Sequence, residues 1–249
     1  MLIDAHAHLD RYEELLPEAI EQIDRHGIMV VAVALDVESY LATKAIAEHS
    51  PLIRPVFGVH PWGAPRYAGC LGDLDVHLQE TPLIGEAGLD FHFIEDESQY
   101  DAQRRVFEYQ CQWAARHGKP MSLHTKGAEP EVLETLRAFG VKDAIIHWYS
   151  GPAGLVDDYL ALGCSFSVGV EVLYSTAIEQ LAATIPDERL LLETDNPGGH
   201  QWLAGSPGMP VVILDVLAKV AELRHVDADE LETQVANNWR HFERSAADA

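Results

Sequence analysis

The sequence predicts an α/β fold, specifically a closed (β/α)8 or TIM barrel. Three observations carry that prediction. Short β-rich runs alternate with longer amphipathic stretches along the whole chain, eight such pairs can be counted, and 249 residues suit a barrel built as one unit. Crossover connections of this kind imply parallel strands. An open doubly wound sheet has the same alternation, so the placement of polar residues has to separate the two.

The first run, Leu2 to Ala5, precedes a helical pattern from Tyr12 to His26, in which Leu15, Leu16, Ala19, Ile20 and Ile23 recur at helical spacing. Gly27 stands where a C-cap glycine belongs. Ile28 to Leu35 is continuously apolar, as a strand buried on both faces should be. A helix over Glu38–Glu48, a strand over Ile53–Val59, a helix over Leu71–Gln79 and a strand over Pro82–Glu86 follow. A long helix, Gln99–Arg116, closes at His117-Gly118, and Pro120–His124 reads as the fifth strand. Pro130–Phe139 reads as helix, Ala144–His147 as strand, Ala153–Leu162 as helix and Cys164–Val168 as strand. Ser175–Ala183 is then a helix and Arg189–Glu193 the eighth strand; a Gly/Pro-rich loop leads to closing helices over Val211–Leu223 and Ala228–Arg244. No linker or low-complexity segment interrupts the series, so residues 1–249 read as a single domain.

Composition narrows the function. With 17 Lys plus Arg against 40 Asp plus Glu, the formal charge is −23, which repels phosphate backbones and anionic lipid at long range. The longest unbroken apolar run, Ile28–Leu35, is far short of the roughly 20 residues a membrane-spanning helix needs. The segment MLIDAHAHLD has neither a basic start nor an apolar core and does not read as a secretory signal. Cys70, Cys111 and Cys164 form no disulfide framework and no metal-binding spacing. A reducing cytoplasm is the expected address, and no obligate protein partner is expected.

Seven titratable residues recur at one position in the alternation, the carboxyl end of a strand run. They are His6, His8, His60, Glu86, His124, His147 and Asp195. In a barrel these ends converge on one face, whereas an open sheet spreads them. Each has a structural reading when taken alone: a lone HxH is weak, a strand-end histidine is commonly just hydrogen-bonded, and Asp195 before Asn196-Pro197 could start a turn. Together they suit a pair of divalent cations. His6 and His8, two apart on a strand, point the same way, and carboxylates add charge and can join two ions. His26, His49, His117, His225 and His241 fall near helix ends and receive no chemistry. His92 and His200, on loops of the presumed catalytic face, are weak substrate-contact candidates for which a structural reading is favoured.

The motifs DAHAHLD (4–10), GVHP (58–61), GEAGLD (85–90), LHTKGAE (123–129), IIHWYSG (145–151) and LLETDNP (191–197) resemble, in order and spacing, those of the TatD family of metal-dependent hydrolases, often described as deoxyribonucleases. Asn237 and Asn238 resemble the family's closing Asn-containing helix. The resemblance implies a metal-dependent hydrolase barrel with two divalent ions, Zn²⁺, Mn²⁺ or Mg²⁺. It implies that His6, His8 and Asp195 bind one ion, that His124 and His147 bind the other, and that Glu86 bridges. His60 matches a position near the substrate. Lys126 stands where the family often has arginine and can meet an anion only as a point charge. Trp148 replaces a smaller residue at the rim, and no Lys or Arg lies between Asp195 and Pro210.

The expected reaction is hydrolysis of an ester, as a phosphodiesterase or deoxyribonuclease using metal-activated water, with Asp195 and Glu86 as catalytic residues and His60, Lys126 and Trp148 as substrate contacts. Trp62, Trp148 or Trp202 could stack on a planar group, and Lys126 and Arg66 could meet phosphate. A short nucleic acid or small phosphoester reconciles that chemistry with the acidic surface. The alternative is a barrel hydrolase of an amide, lactone or other small carbonyl compound. Such enzymes often bridge their metals with a carbamylated lysine, and Lys119 lies at the wrong end of its strand for that. A catalytically dead barrel kept for binding is the third reading, and nothing in the sequence supports it.

Overall fold

The strand pairings are parallel, as crossover connections demand. The computed structural model describes residues 1–247. Its strands are β1 (Ile3–Ala7), β2 (Met29–Val33), β3 (Ile53–Val56), β4 (Ile84–Gly88), β5 (Met121–His124), β6 (Ala144–His147), β7 (Ser165–Val168) and β8 (Leu190–Leu192). The helices between and after them are α1 (Leu16–His26), α2 (Val37–Ala47), α3 (Ala64–Tyr67), α4 (Asp75–Glu80), α5 (Tyr100–His117) and α6 (Glu129–Phe139). The remainder are α7 (Val156–Ala161), α8 (Thr176–Thr184), α9 (Gly198–Ala204), α10 (Val212–Arg224) and α11 (Ala228–Ala247).

Packing divides the chain into two compact units. The first comprises Met1–Val33, Leu41–Pro55 and Phe166–His241; the second comprises Ala34–Tyr40, Val56–Ser165 and the chain from Phe242 onward. In the first unit β1 pairs with β2, Ile3 opposite Met29, and Val30 N–H donates to Leu52 just before β3. Phe166 of β7 lies opposite Leu190 of β8. The chain leaving β8 returns to β1, because Asp195 N–H donates to His6 O at 2.8 Å and His8 N–H to Asn196 O at 2.8 Å. In the second unit β4, β5 and β6 pair in that order, with Ile84 opposite Met121 and Met121 opposite Ala144. Phe57 bridges to Ile84 on the other side of β4.

The strands are largely buried on both faces, β2 wholly by apolar residues, and every residue of β1, β2 and β4 is buried. Each fully buried Val, Leu or Ile contributes roughly 1.5–3 kcal/mol by leaving water. Helix ends follow local chemistry: Gly27, Gly118 and Gly140 take the left-handed conformation just past α1, α5 and α6.

Several boundaries differ from the sequence reading. The helix expected from Tyr12 begins at Leu16, after two short 3₁₀ turns, because Pro17 lacks an N–H and fits only a helix's first turn. The helix expected over Leu71–Gln79 is a 3₁₀ turn, Leu71–Leu74, followed by α4. The Gly/Pro-rich loop after β8 contains a helix, α9. Gly199 N–H donates to Asp195 O at 2.7 Å to start its first turn, and Gly205 at φ +81° ends it. His6, expected just past its strand, lies within β1, and Glu86, expected to end the fourth strand, lies inside β4.

Candidate metal centre

In the first unit the chemistry lies where β1 ends and β8 has just ended. His6 is fully buried and His8 nearly so, two residues apart on the same side of the chain. The His8 ring is held by Val33, whose carbonyl only accepts, so Nδ1–H donates to it at 2.9 Å. That leaves the Nε2 lone pair facing Asp195 Oδ1 at 3.1 Å. His6 Nε2 is 3.8 Å from the same oxygen, and the two rings meet edge to face at 5.1 Å. Asp195 sits at φ +53°, a turn fixed by its N–H on His6 O. Ligand atoms of His6, His8 and Asp195 lie within 4.8 Å of one another.

Asp4 braces this cluster and was missed in the sequence reading. Its carboxylate accepts from His6 N–H at 3.2 Å, Thr194 N–H at 3.0 Å and Thr194 Oγ at 2.6 Å. Burial pushes its pKa up to about 7 in spite of those bonds. The signal was available, since Asp4 opens DAHAH and Thr194 lies inside LLETD. Reading those motifs only for ligands passes over the residues that aim the ligands. Asn238 has a similar part, donating to Asp187 O at 2.6 Å and Leu190 O at 2.8 Å at the start of β8.

In the second unit three imidazoles converge on one carboxylate oxygen. Glu86 Oε1 lies 2.9 Å from His124 Nδ1, 3.3 Å from His60 Nε2 and 3.3 Å from His147 Nε2. Gly88 makes this approach possible. At φ +138°, with His124 O where a Cβ would lie 1.9 Å away, no other residue fits. His60 accepts Trp62 N–H at Nδ1, 3.2 Å, so its proton is on Nε2 and donates to Glu86. His60 is thereby a hydrogen-bond donor to the carboxylate. His124 Nε2 faces Asp90 Oδ2 at 3.0 Å, which leaves Nδ1 for the Glu86 side. Burial works against a charge on His124, but the carboxylates of Asp90 and Glu86 win and raise its pKa.

Asp90 is the second missed residue. It is fully buried, and its oxygens accept from His124, from Trp62 Nε1 at 2.7 Å, from His92 N–H at 2.9 Å and from Phe93 N–H at 2.7 Å. Burial opposes its charge, yet these donors hold its pKa well below the carboxylate range. Two buried glutamines of α5 hold the neighbouring loops. Gln103 makes paired bonds to Asp90 N–H and O at 2.8 and 3.0 Å, and Gln110 does the same for Val59 at 2.8 and 3.1 Å. Spaced seven apart, they share one helix face; polarity alone points such residues to solvent, so periodicity does not find them.

The other expected residues are placed as follows. Lys126 donates from Nζ to Ser150 Oγ, and Trp148, at φ +42°, sets its ring edge-on to His147 at 6.4 Å. Arg66 pairs with Asp36 at 2.9 Å. His200 is bound through Nδ1 to Ser206 O at 3.0 Å, a structural role. Lys119 donates to the carbonyls of Leu78, Gln79 and Thr81 at 2.7, 2.7 and 2.8 Å. It closes the end of α4 and plays no part in a metal bridge. Cys70 is exposed and Cys111 and Cys164 are buried, none of them in a disulfide.

The donor set suits divalent cations. Imidazole nitrogens with lone pairs pointing inward, joined by carboxylates, are the ligands of Zn²⁺ and related metals. The Val33 carbonyl behind His8 and the Asp90 carboxylate behind His124 supply the ring-orienting contacts such ligands need.

Comparison with known proteins agrees. The family model of the TatD related DNases matches residues 3–244. An uncharacterized metal-dependent hydrolase of Bacillus subtilis, YabD, is 28% identical over 98% of this chain and 99% of its own. A 3'-5' ssDNA/RNA exonuclease TatD from Erwinia amylovora is 30% identical over 82% of this chain and 83% of its own. The crystal structure of YjjV from Escherichia coli shares the fold, with a TM-score of 0.86 at 24% identity and 97% of each chain covered. The α/β fold with parallel strands is that of these barrel structures. The chain belongs to the TatD family of metal-dependent hydrolases.

Proposed function

We propose that this protein is a two-metal phosphodiesterase acting on short nucleic acid, a deoxyribonuclease in the first instance. The observation that carries the reading is the convergence of His60, His124 and His147 on Glu86 Oε1, matched in the other unit by His6 and His8 beside Asp195 Oδ1. His6, His8 and Asp195 would hold one divalent ion, and Glu86, His124 and His147 a second. Zn²⁺, Mn²⁺ or Mg²⁺ bound there supplies polarisation of a phosphoryl oxygen and a lowered pKa for water. The family model spanning residues 3–244 supports reading the whole chain as one hydrolase domain.

The remaining chemistry belongs to side chains of this chain. Asp195, its backbone pinned to His6 O, orients the attacking water and accepts its proton. Glu86 fixes the imidazoles around it and supplies negative charge. His60 Nε2–H donates toward Glu86 and the substrate edge. Lys126 meets a phosphate oxygen as a point charge, and Trp148 borders the substrate beside His147. The names of relatives, a deoxyribonuclease TATDN3 in human at 26% identity and the Erwinia exonuclease, support a nucleic-acid substrate.

The test is a substrate panel after loading the protein with Mn²⁺ or Zn²⁺. Metal-dependent release of nucleotides from single-stranded DNA is expected. Turnover confined to amides or lactones would overturn the assignment.

A further inference from the structure

We propose that Trp62 and Phe93 form a stacking subsite that takes the nucleobase adjacent to the phosphodiester under attack. The proposal rests on the nucleic-acid reading above and specifies how this chain holds its substrate. Both rings are large, apolar and about half exposed, Trp62 at 47% and Phe93 at 45%. They meet edge to face at 6.1 Å, so a flat group laid on one ring touches the edge of the other.

Neither ring is loosely placed. Trp62 Nε1–H donates to Asp90 Oδ2 at 2.7 Å, and its ring packs edge-on to His60 at 4.8 Å. Phe93 is positioned through its own N–H on Asp90 Oδ1 at 2.7 Å. The same fully buried carboxylate holds His124 at 3.0 Å. One anchor thus sets the distance between the aromatic step and an expected metal ligand, and with His92 edge-on to Phe93 at 4.8 Å both rings still keep about half of their surface exposed.

The chemistry selects a nucleobase. A ring face at the mouth of a site that handles phosphate meets the flat part of the same substrate, and stacking needs no positive charge. That matters in a chain of formal charge −23, whose net field opposes a phosphate backbone. Stacking on aromatic side chains accepts every base, so this subsite favours base-bearing, unpaired ends without reading sequence.

Tryptophan emission tests the subsite without requiring turnover. The probes are adenosine 5′-monophosphate and ribose 5-phosphate, added to the full chain and to Trp62→Leu and Phe93→Leu, each checked for native circular dichroism. Adenosine monophosphate should quench emission saturably in the parent and ribose 5-phosphate should not. Trp62→Leu should abolish that quenching, and Phe93→Leu should weaken the binding several-fold while leaving the Asp90 contacts intact. Equal responses to the two probes, or quenching that survives Trp62→Leu, overturns the proposal. With DNA trimers whose terminal residue carries or lacks a base, Trp62→Leu should raise KM about tenfold more for the base-bearing trimer, with kcat little changed. Equal KM effects on the two trimers would overturn it as well. If neither trimer is cleaved by the parent, the nuclease reading falls, and the quenching result alone decides the subsite.

Discussion

Glu86 and Asp90, four apart in GEAGLD, divide the labour of one motif: the first collects three imidazoles, and the second fixes the ring of one of them. Ligand types were legible from sequence because HxH and strand-end carboxylates have few other uses together. Asp4 and Asp90 stand inside the same motifs but were passed over, because a buried carboxylate that accepts only hydrogen bonds has no spacing rule of its own. Three substitutions separate the roles. His6→Ala should lose the ion of the first cluster and Glu86→Ala that of the second, with far-UV circular dichroism unchanged, as elemental analysis will register. Asp90→Asn should keep the ion but weaken its affinity by about 10–100-fold in calorimetric titration, as losing an orienting carboxylate does. Unaltered affinity would mean that packing alone holds His124.

The strands were readable as elements because runs such as Ile28–Leu35 have no polar face, and the αL glycines after α1 and α5 marked where helices stop. The helix α9 was hidden because glycine and proline dominate its start, whereas what holds its first turn in place is tertiary: Asp195, whose carbonyl accepts from Gly199, is itself pinned by its N–H to His6 O. Other elements depend on single polar braces. Lys119 closes three carbonyls after α4, so Lys119→Met should cost about 1–3 kcal/mol in urea unfolding while metal content stays the same. Gln103→Leu removes both bonds to the Asp90 backbone. It should lose a similar amount of stability and also weaken metal binding, the difference reporting that α5 supports the site.

For the chain entire, charge opposes the proposed substrate. An acidic protein that cleaves nucleic acid repels long polyanions at low salt, and the repulsion is screened within about 10 Å at 0.1 M ionic strength. KM for a long single strand should therefore fall as monovalent salt rises from low values, the reverse of a basic nucleic-acid binder, while KM for a trimer changes less. A KM that rises steeply with salt would show a local positive track that outweighs the net charge of −23. Among the described residues no helix is long and apolar enough to cross a membrane.

The deciding measurement is the metal content of the full chain after loading with Mn²⁺ or Zn²⁺ and removal of excess ion. Two clusters of inward-facing imidazoles and carboxylates predict two ions per chain, with His8→Ala and His147→Ala each retaining one. A parent protein that holds no stoichiometric metal would contradict the account of the site and of the reaction built on it.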